Sequence, residues 1–427
     1  MSIPRQFSLK YGDKSVTLFL PDEYQSQSLH PAVPPLHLAE EDILKIRLKN
    51  PLATPGLEEI LKTDDRVLIV VPDKTRVSRL DLVFPYLFQV LQKKKIADEQ
   101  VTILFANGSH APMTEAEKHA ILGEAAFRRF AHYEHNCREA MVEKLGTTSR
   151  GTPVMVNRLI TKNSKLIVIS SVVHHYFAGF GGGPKMIVPG LAAYDTIWNN
   201  HRLAVLAEDS PLHPGCEPGN INKNPVYEDI VEAVQMTRVD FAIQLVLDEN
   251  YRLVDAFCGD LYSSFQKAGM RVHQLNSVRI TKPADLVIAS AGGYPKDINL
   301  IQAHKAIHHA VRALKPNGIL IILAECRNGW GNVEFPVWFE IGNYAEIKKA
   351  VLAHFRINSN TALVLKHKLE NYQIFLISQL PTDITSKMGF QPAVDLSTAL
   401  DKAKQLLPSD AVTYVIPNAS ITLPVLA

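Results

Sequence analysis

The chain has 427 residues, 46% of them hydrophobic and 21% charged, with a formal net charge of +2. That length allows two or three domains with cores of their own, and the near-even charge excludes a basic footprint for nucleic acid or an anionic membrane surface. No run of eighteen apolar residues predicts a membrane span.

The start, MSIPRQFSLKYGDKS, lacks the apolar segment of a secretory leader. Cys137, Cys216, Cys258 and Cys326 lie far apart without a CxxC pair, the pattern of reduced thiols in a cytoplasmic protein rather than of a disulfide framework or zinc ribbon. FSLKYGDKSVTLFLP alternates apolar and polar residues around Tyr-Gly-Asp and predicts a hairpin. A Pro-rich connection, AVPPLHLAEED, leads into a helix at about residues 37–50. Three short apolar runs follow: DRVLIVVPDKTR, QVTILFANGSHAP and SKLIVISSVVHHYFAGFGGG. Runs rich in Val and Ile without alternation suit parallel strands buried on both faces. Between them, LVFPYLFQVLQKKK has helical spacing, and Thr114 and Glu117 form a capping box. AEDSPLHPGCEPGNINKNP (207–225) is a long irregular loop, placed near the active site or an interface; it runs into Asn224-Pro225, an N-cap followed by an N1 proline.

A second series starts near residue 280: ADLVIASAGGYPKD, then the helical NLIQAHKAIHHAVRALK with Asp297 as its cap, then the strand candidates NGILIILAEC, YQIFLISQL and VTYVIPN. Strand–helix alternation in both halves predicts an α/β protein of two domains, residues 1–275 and 276–427, each with a largely parallel sheet flanked by helices and with the active site in the cleft between them.

In such sheets ligands bind beyond the carboxyl ends of the strands. Asp73 and Arg76, then Asn107 to His110, then His174 and His175, then Gly292 and Gly293 all follow apolar runs. The loop HHYFAGFGGGPKMIVPG is neither common phosphate loop. Pro184 stands before Lys185 and Met186 after it, so the Walker hydroxyl is missing, and Pro184 occupies the third glycine of a dinucleotide fingerprint. His174 and His175 point to opposite sides if the chain is extended there. Gln302 and Lys305 share a helix face. No HExxH, spaced Cys set or GxSxG elbow is present, so zinc and α/β-hydrolase chemistry lack support. The residues alone suggest acid–base chemistry on a small carboxylate or phosphate.

The motifs PDKTR (72–76), ANGSHAP (106–112), HYFAGFGGGPKMIVPG (175–190), His201 and GGYPKDINLIQAHKA (292–306) together resemble the nickel-dependent lactate racemase family, over nearly the whole chain. The resemblance implies a racemase or epimerase inverting C2 of a 2-hydroxy acid by hydride transfer to a nickel pincer nucleotide (pyridinium-3,5-bisthiocarboxylic acid mononucleotide nickel). It implies covalent attachment of that cofactor at Lys185, nickel ligation by His201, and cofactor contacts from Asp73, Gly181, Gly182 and Gly183. His110 and His175 match the family's acid–base pair, one for each hand of substrate, while Arg76, Gln302 and Lys305 match its carboxylate-binding groups. Family members that act on lactate commonly carry serine and alanine where this chain has Gly181 and Pro184, which leaves lactate, a larger hydroxy acid and a sugar acid open as substrates. The implied partners are that substrate and the enzymes that make the cofactor, with no nucleic acid and no membrane; a homo-oligomer is left open. Two other readings remain: a nucleotide-dependent 2-hydroxy acid dehydrogenase, and a non-catalytic nickel-nucleotide binding protein.

Overall fold

A computed structural model describes residues 5–20, 24–32, 38–205 and 210–427. The chain forms two compact units. One comprises Val33–Ala204 and His213–His273; the other gathers Met1–Ala32, Val205–Leu212 and Gln274–Ala427. Where the linear division puts residues 1–275 together, contacts place the first stretch and a short middle one with the last.

In the first unit a six-stranded sheet runs in the order Leu253–Gly259, Phe241–Leu247, Lys165–Ser171, Val67–Pro72, Val101–Ala106, Ala131–Glu134. All neighbours are parallel except the first pair. Every residue of Val67–Pro72 is buried, so the strand is covered on both faces and shows no alternation. Val67, Ile69, Val71, Ile103 and Phe105 pack with Leu44, Leu48, Leu87 and Leu91 of the helices Glu40–Lys49 and Leu80–Lys93. The capping box forms as expected: Thr114 accepts from the Glu117 N–H at 3.2 Å and Glu117 accepts from the Thr114 N–H at 2.8 Å. Asn224 caps the helix Pro225–Gln235, accepting from the Tyr227 N–H at 3.1 Å.

The second unit has a sheet that is parallel throughout, ordered Gln391–Pro392, Gln373–Ile377, Leu314–Leu323, Ala284–Ser290, Thr413–Ile416, Ser26–Ser28. The expected hairpin is present as Arg5–Tyr11 and Lys14–Leu20, and its Leu9, Leu18 and Leu20 pack on one sheet face beside Leu286, Ile288 and Val415. The helices Leu300–Ala310 and Ser359–Asn371 lie on the other face. Asp297 does not cap the first of these. Asn299 does, accepting from the Gln302 N–H at 3.0 Å, while the buried Asp297 carboxylate accepts from the N–H groups of Gly12 and Glu325 at 2.7 and 3.1 Å. An Asx residue one place before the helix satisfies its donors better than one three places away. All four cysteines are free and buried, and no helix among the described residues is long and apolar enough to cross a membrane.

Candidate active site

The carboxyl edge of the first unit's sheet carries most of the expected site. Just beyond Val67–Pro72 the chain turns tightly, with the Arg76 N–H donating to the Asp73 carbonyl at 3.1 Å. The buried Asp73 carboxylate accepts from the Thr75 hydroxyl at 2.7 Å and meets His110 Nδ1 at 2.6 Å. Burial would raise this carboxyl, but the charge and hydrogen bond of His110, with Arg76 and Thr75 beside it, hold it down at about 2. A carboxylate paired this way fixes the ring of its histidine, as in any acid–base dyad. Lys74 turns away from the site to Glu117, 2.8 Å from its Nζ. The Arg76 guanidinium donates to the Thr75 carbonyl at 3.1 Å and is lowered from its ordinary range by burial and partly restored by Asp73.

The loop from Val173 to Gly190 supplies the second group. Val173–His175 pairs antiparallel with Gly179–Gly181, and the two histidines do part company. His174 stacks on Phe180 and reaches His273, 3.3 Å from ring nitrogen to ring nitrogen. His175 Nε2 lies 3.3 Å from Lys185 Nζ, and its Nδ1 accepts from the Ala178 N–H at 3.3 Å. Lys185 rides on the short turn Gly183–Met186. The glycines before it answer packing more than phosphate. At Gly183, φ is +54° and a Cβ would overlap the Phe265 ring, while its N–H is spent on the Ser170 hydroxyl at 2.9 Å. Gly182 leaves no space between Ser170 and Ser171, whereas a Cβ at Gly181 would meet only Val173 at an ordinary 3.4 Å. Gly181 is therefore the one position of the three where a side chain fits. The Gly108 N–H donates to the Gly190 carbonyl at 2.9 Å, tying the His110 turn to the Lys185 loop.

His201 enters from the helix Tyr194–Arg202. Its Nδ1 lies 3.2 Å from Asn200 Oδ1, and the Asn200 amide is itself oriented by donating to Asp229 at 2.9 Å and to the Val226 carbonyl at 3.0 Å. With Nδ1 so engaged, Nε2 is the nitrogen that presents a lone pair. Burial, then the charges of Lys185 and His110, lower His201 to about 3, and burial with Arg76 lowers Lys185 to about 7. Both shifts favour the uncharged forms, for the histidine the imidazole that binds metal and for the lysine the free amine. Among the described residues no group of three or more His, Cys, Asp or Glu could hold a metal ion. A metal at His201 would have to draw its other ligands from a non-protein group, which the amine next to it could anchor. The residues fit such a group.

Three further residues were not legible in the sequence as parts of the site. Phe177 is central: its ring meets the rings of His175 and His201 edge-on at 4.7 and 5.1 Å, and Lys185 Nζ sits 5.1 Å from its centroid. Asn224 donates to the Phe177 carbonyl at 2.9 Å, so the helix cap also holds the loop. Thr75 buttresses Asp73. Only Asn224 carried a signal, its Asn-Pro cap. The remaining candidates, Gln302 and Lys305, belong to the second unit, where Lys305 Nζ donates to Gln302 Oε1 at 2.6 Å.

Comparison with known proteins agrees over the chain's length. The family model of the lactate racemase N-terminal domain matches residues 11–212, and that of the lactate racemase C-terminal domain matches 280–423. A lactate racemase of Thermoanaerobacterium thermosaccharolyticum is 29% identical over 96% of this chain and 97% of its own. One from Lactiplantibacillus plantarum is 27% identical over the same shares. The solved lactate racemase apoprotein of the former organism superposes with a TM-score of 0.88 at 28% identity, covering 99% of this chain and all of that one. A Thermotoga maritima protein, 21% identical with a TM-score of 0.72 over 92% of this chain and all of its own, shares the fold.

Proposed function

Since the chain belongs to the lactate racemase family and is a racemase, we propose that it inverts C2 of a 2-hydroxy acid such as lactate with a nickel pincer nucleotide attached at Lys185 and ligated by His201. The observation that carries this reading is the convergence of Lys185 Nζ and the His201 ring on Phe177, each 5.1 Å from its ring, with His201 oriented through Nδ1 by Asn200. When bound, that nucleotide supplies a hydride acceptor and donor for the carbinol carbon, which spares the enzyme from removing a barely acidic C–H proton.

The chain's own residues do the rest. Asp73 holds His110 by Nδ1, so Nε2 can take the hydroxyl proton of one enantiomer. His175 serves the other enantiomer from its place beside Lys185. Arg76 offers its guanidinium to the substrate carboxylate, the pairing its planar fork suits best, and Lys305 and Gln302 are proposed as further carboxylate and hydroxyl contacts. Burial against Phe177 strengthens the interactions of His175, Lys185 and His201. Maturation would require enzymes that synthesise the nucleotide, and the four free cysteines suit a protein that works beside them in the cytoplasm.

The test is intact mass and metal analysis of protein made alongside a competent cofactor-synthesis pathway. The expected result is an adduct on Lys185 with about one nickel per chain. An adduct that persisted in Lys185→Ala would exclude this attachment, and extensive deuterium entry at C2 from solvent would exclude hydride return.

A further inference from the structure

Each of the two histidines meets at Nδ1 a partner whose hydrogen-bonding role is fixed, and the two roles are opposite. His110 Nδ1 faces the Asp73 carboxylate at 2.6 Å. An ionised carboxylate only accepts, so in the neutral ring the proton sits on Nδ1 and the lone pair on Nε2. His175 Nδ1 faces the Ala178 main-chain N–H at 3.3 Å. A main-chain N–H only donates, so here Nδ1 holds the lone pair and Nε2 the proton. That Nε2 lies 3.3 Å from Lys185 Nζ. An ammonium has three donors and no lone pair, so it cannot accept from Nε2–H; an uncharged amine can.

We propose that, before anything is attached to Lys185, the two histidines are held in opposite tautomers, and that the Ala178 N–H, acting through His175, makes Lys185 Nζ a hydrogen-bond acceptor and so a nucleophilic amine. Ala178 is thus a positioning residue for both groups through its backbone. Acylation of such an amine forms a C–N bond, expels the leaving group with its electron pair and releases one amine proton to solvent. The nitrogen lone pair then delocalises into the new carbonyl or thiocarbonyl and stops accepting, while the remaining N–H becomes a donor. The Nε2–H of His175 then faces a donor where Lys185 Nζ had accepted, and the ring is driven to the other tautomer, with the proton on Nδ1 and the Ala178 bond given up. Only then does Nε2 carry a lone pair. Modification of Lys185 would in this way convert His175 from an idle ring into a base. This last consequence rests on the two-histidine racemase reading; the tautomers do not.

The experiment uses the full unloaded chain labelled with ¹⁵N-histidine. Long-range ¹H–¹⁵N spectra distinguish the tautomers, with His110→Gln and His175→Gln providing assignments. The expected spectrum shows His110 protonated at Nδ1 and His175 at Nε2. After acetylation of Lys185 with acetic anhydride, verified by peptide mass, the His175 pattern should switch to Nδ1–H while that of His110 stays. The labelling rate gives a second measure. His175→Gln, whose side-chain amide still donates, should retain it, and His175→Leu should lower it about tenfold, the equivalent of one unit in amine protonation. Finding His175 protonated at Nδ1 in the unloaded chain would overturn the proposal. Absence of nickel or of an adduct in matured protein would overturn the function proposed above and leave these spectra unchanged.

Discussion

Asp73 bears on two measurable quantities. Its carboxyl, with an ordinary value of 3.8, is held at about 2 by His110 and Arg76. A depressed carboxyl contributes stability above its unfolded value, and that contribution is lost as pH falls from about 4 through about 2. It amounts to roughly 2 kcal/mol. Asp73→Asn should therefore flatten the acid limb of a stability-versus-pH curve in that window, as urea denaturation at stepped pH would show. The amide can also donate to Nδ1, which turns His110 toward the wrong tautomer, so kcat should fall by on the order of 10²-fold or more with KM little changed. Unchanged turnover in this variant would mean that His110 is not the base.

Among the elements, the helix Pro225–Gln235 tests how the site is held. Asn224 is fully buried and serves at once as its cap and as the clamp on the Phe177 carbonyl. Asn224→Ala should cost about 2–3 kcal/mol, more than a cap alone, because a buried carbonyl loses its donor as well. Thr114→Ala, which removes an exposed capping box on Glu115–Arg129, should cost about 1 kcal/mol and leave activity intact. Equal losses from the two would show that the Phe177 contact contributes nothing. The same elements show what could be read from the sequence. The runs around Ile69, Ile103 and Ile167 announced buried parallel strands because both faces are apolar, and Thr114 and Asn224 announced helix starts because caps are local. Asp297 misled because proximity to a helix does not reveal that a carboxylate is claimed by Gly12, distant in the chain. Phe177 could not be found by pattern: an aromatic residue in a glycine loop shows its role only once His201 arrives from another helix. The motif residues Asp73, His110, His175, Lys185 and His201 all lie in one unit with linked hydrogen bonds and charges, which spacing alone does not convey.

At the scale of the molecule, the second unit is assembled from stretches far apart in the chain. Leu9, Leu18 and Leu20 are buried on its sheet, and Ser26–Ser28 forms its edge beside Thr413–Ile416. Burying three leucines is worth about 5 kcal/mol or more, a large part of a typical domain's stability. Removing residues 1–28 should thus unfold this unit rather than trim it. Hydrogen exchange on the truncated chain should show protection lost across Ala284–Ser290 and Thr413–Ile416 and kept in Val67–Pro72. Protection retained in all three would show that the hairpin is dispensable. The same arrangement has a consequence for biosynthesis. The strand Ser26–Ser28 leaves the ribosome long before its neighbour Thr413–Ile416 is translated, while all the residues of the Lys185 unit are made by His273. Domains fold as they emerge, so the nascent chain must carry three leucines without a home until Ala284–Ser290 and Leu314–Leu323 are made, and a message truncated before Ala284 would yield a formed Lys185 unit tethered to a hairpin with no sheet to pack on.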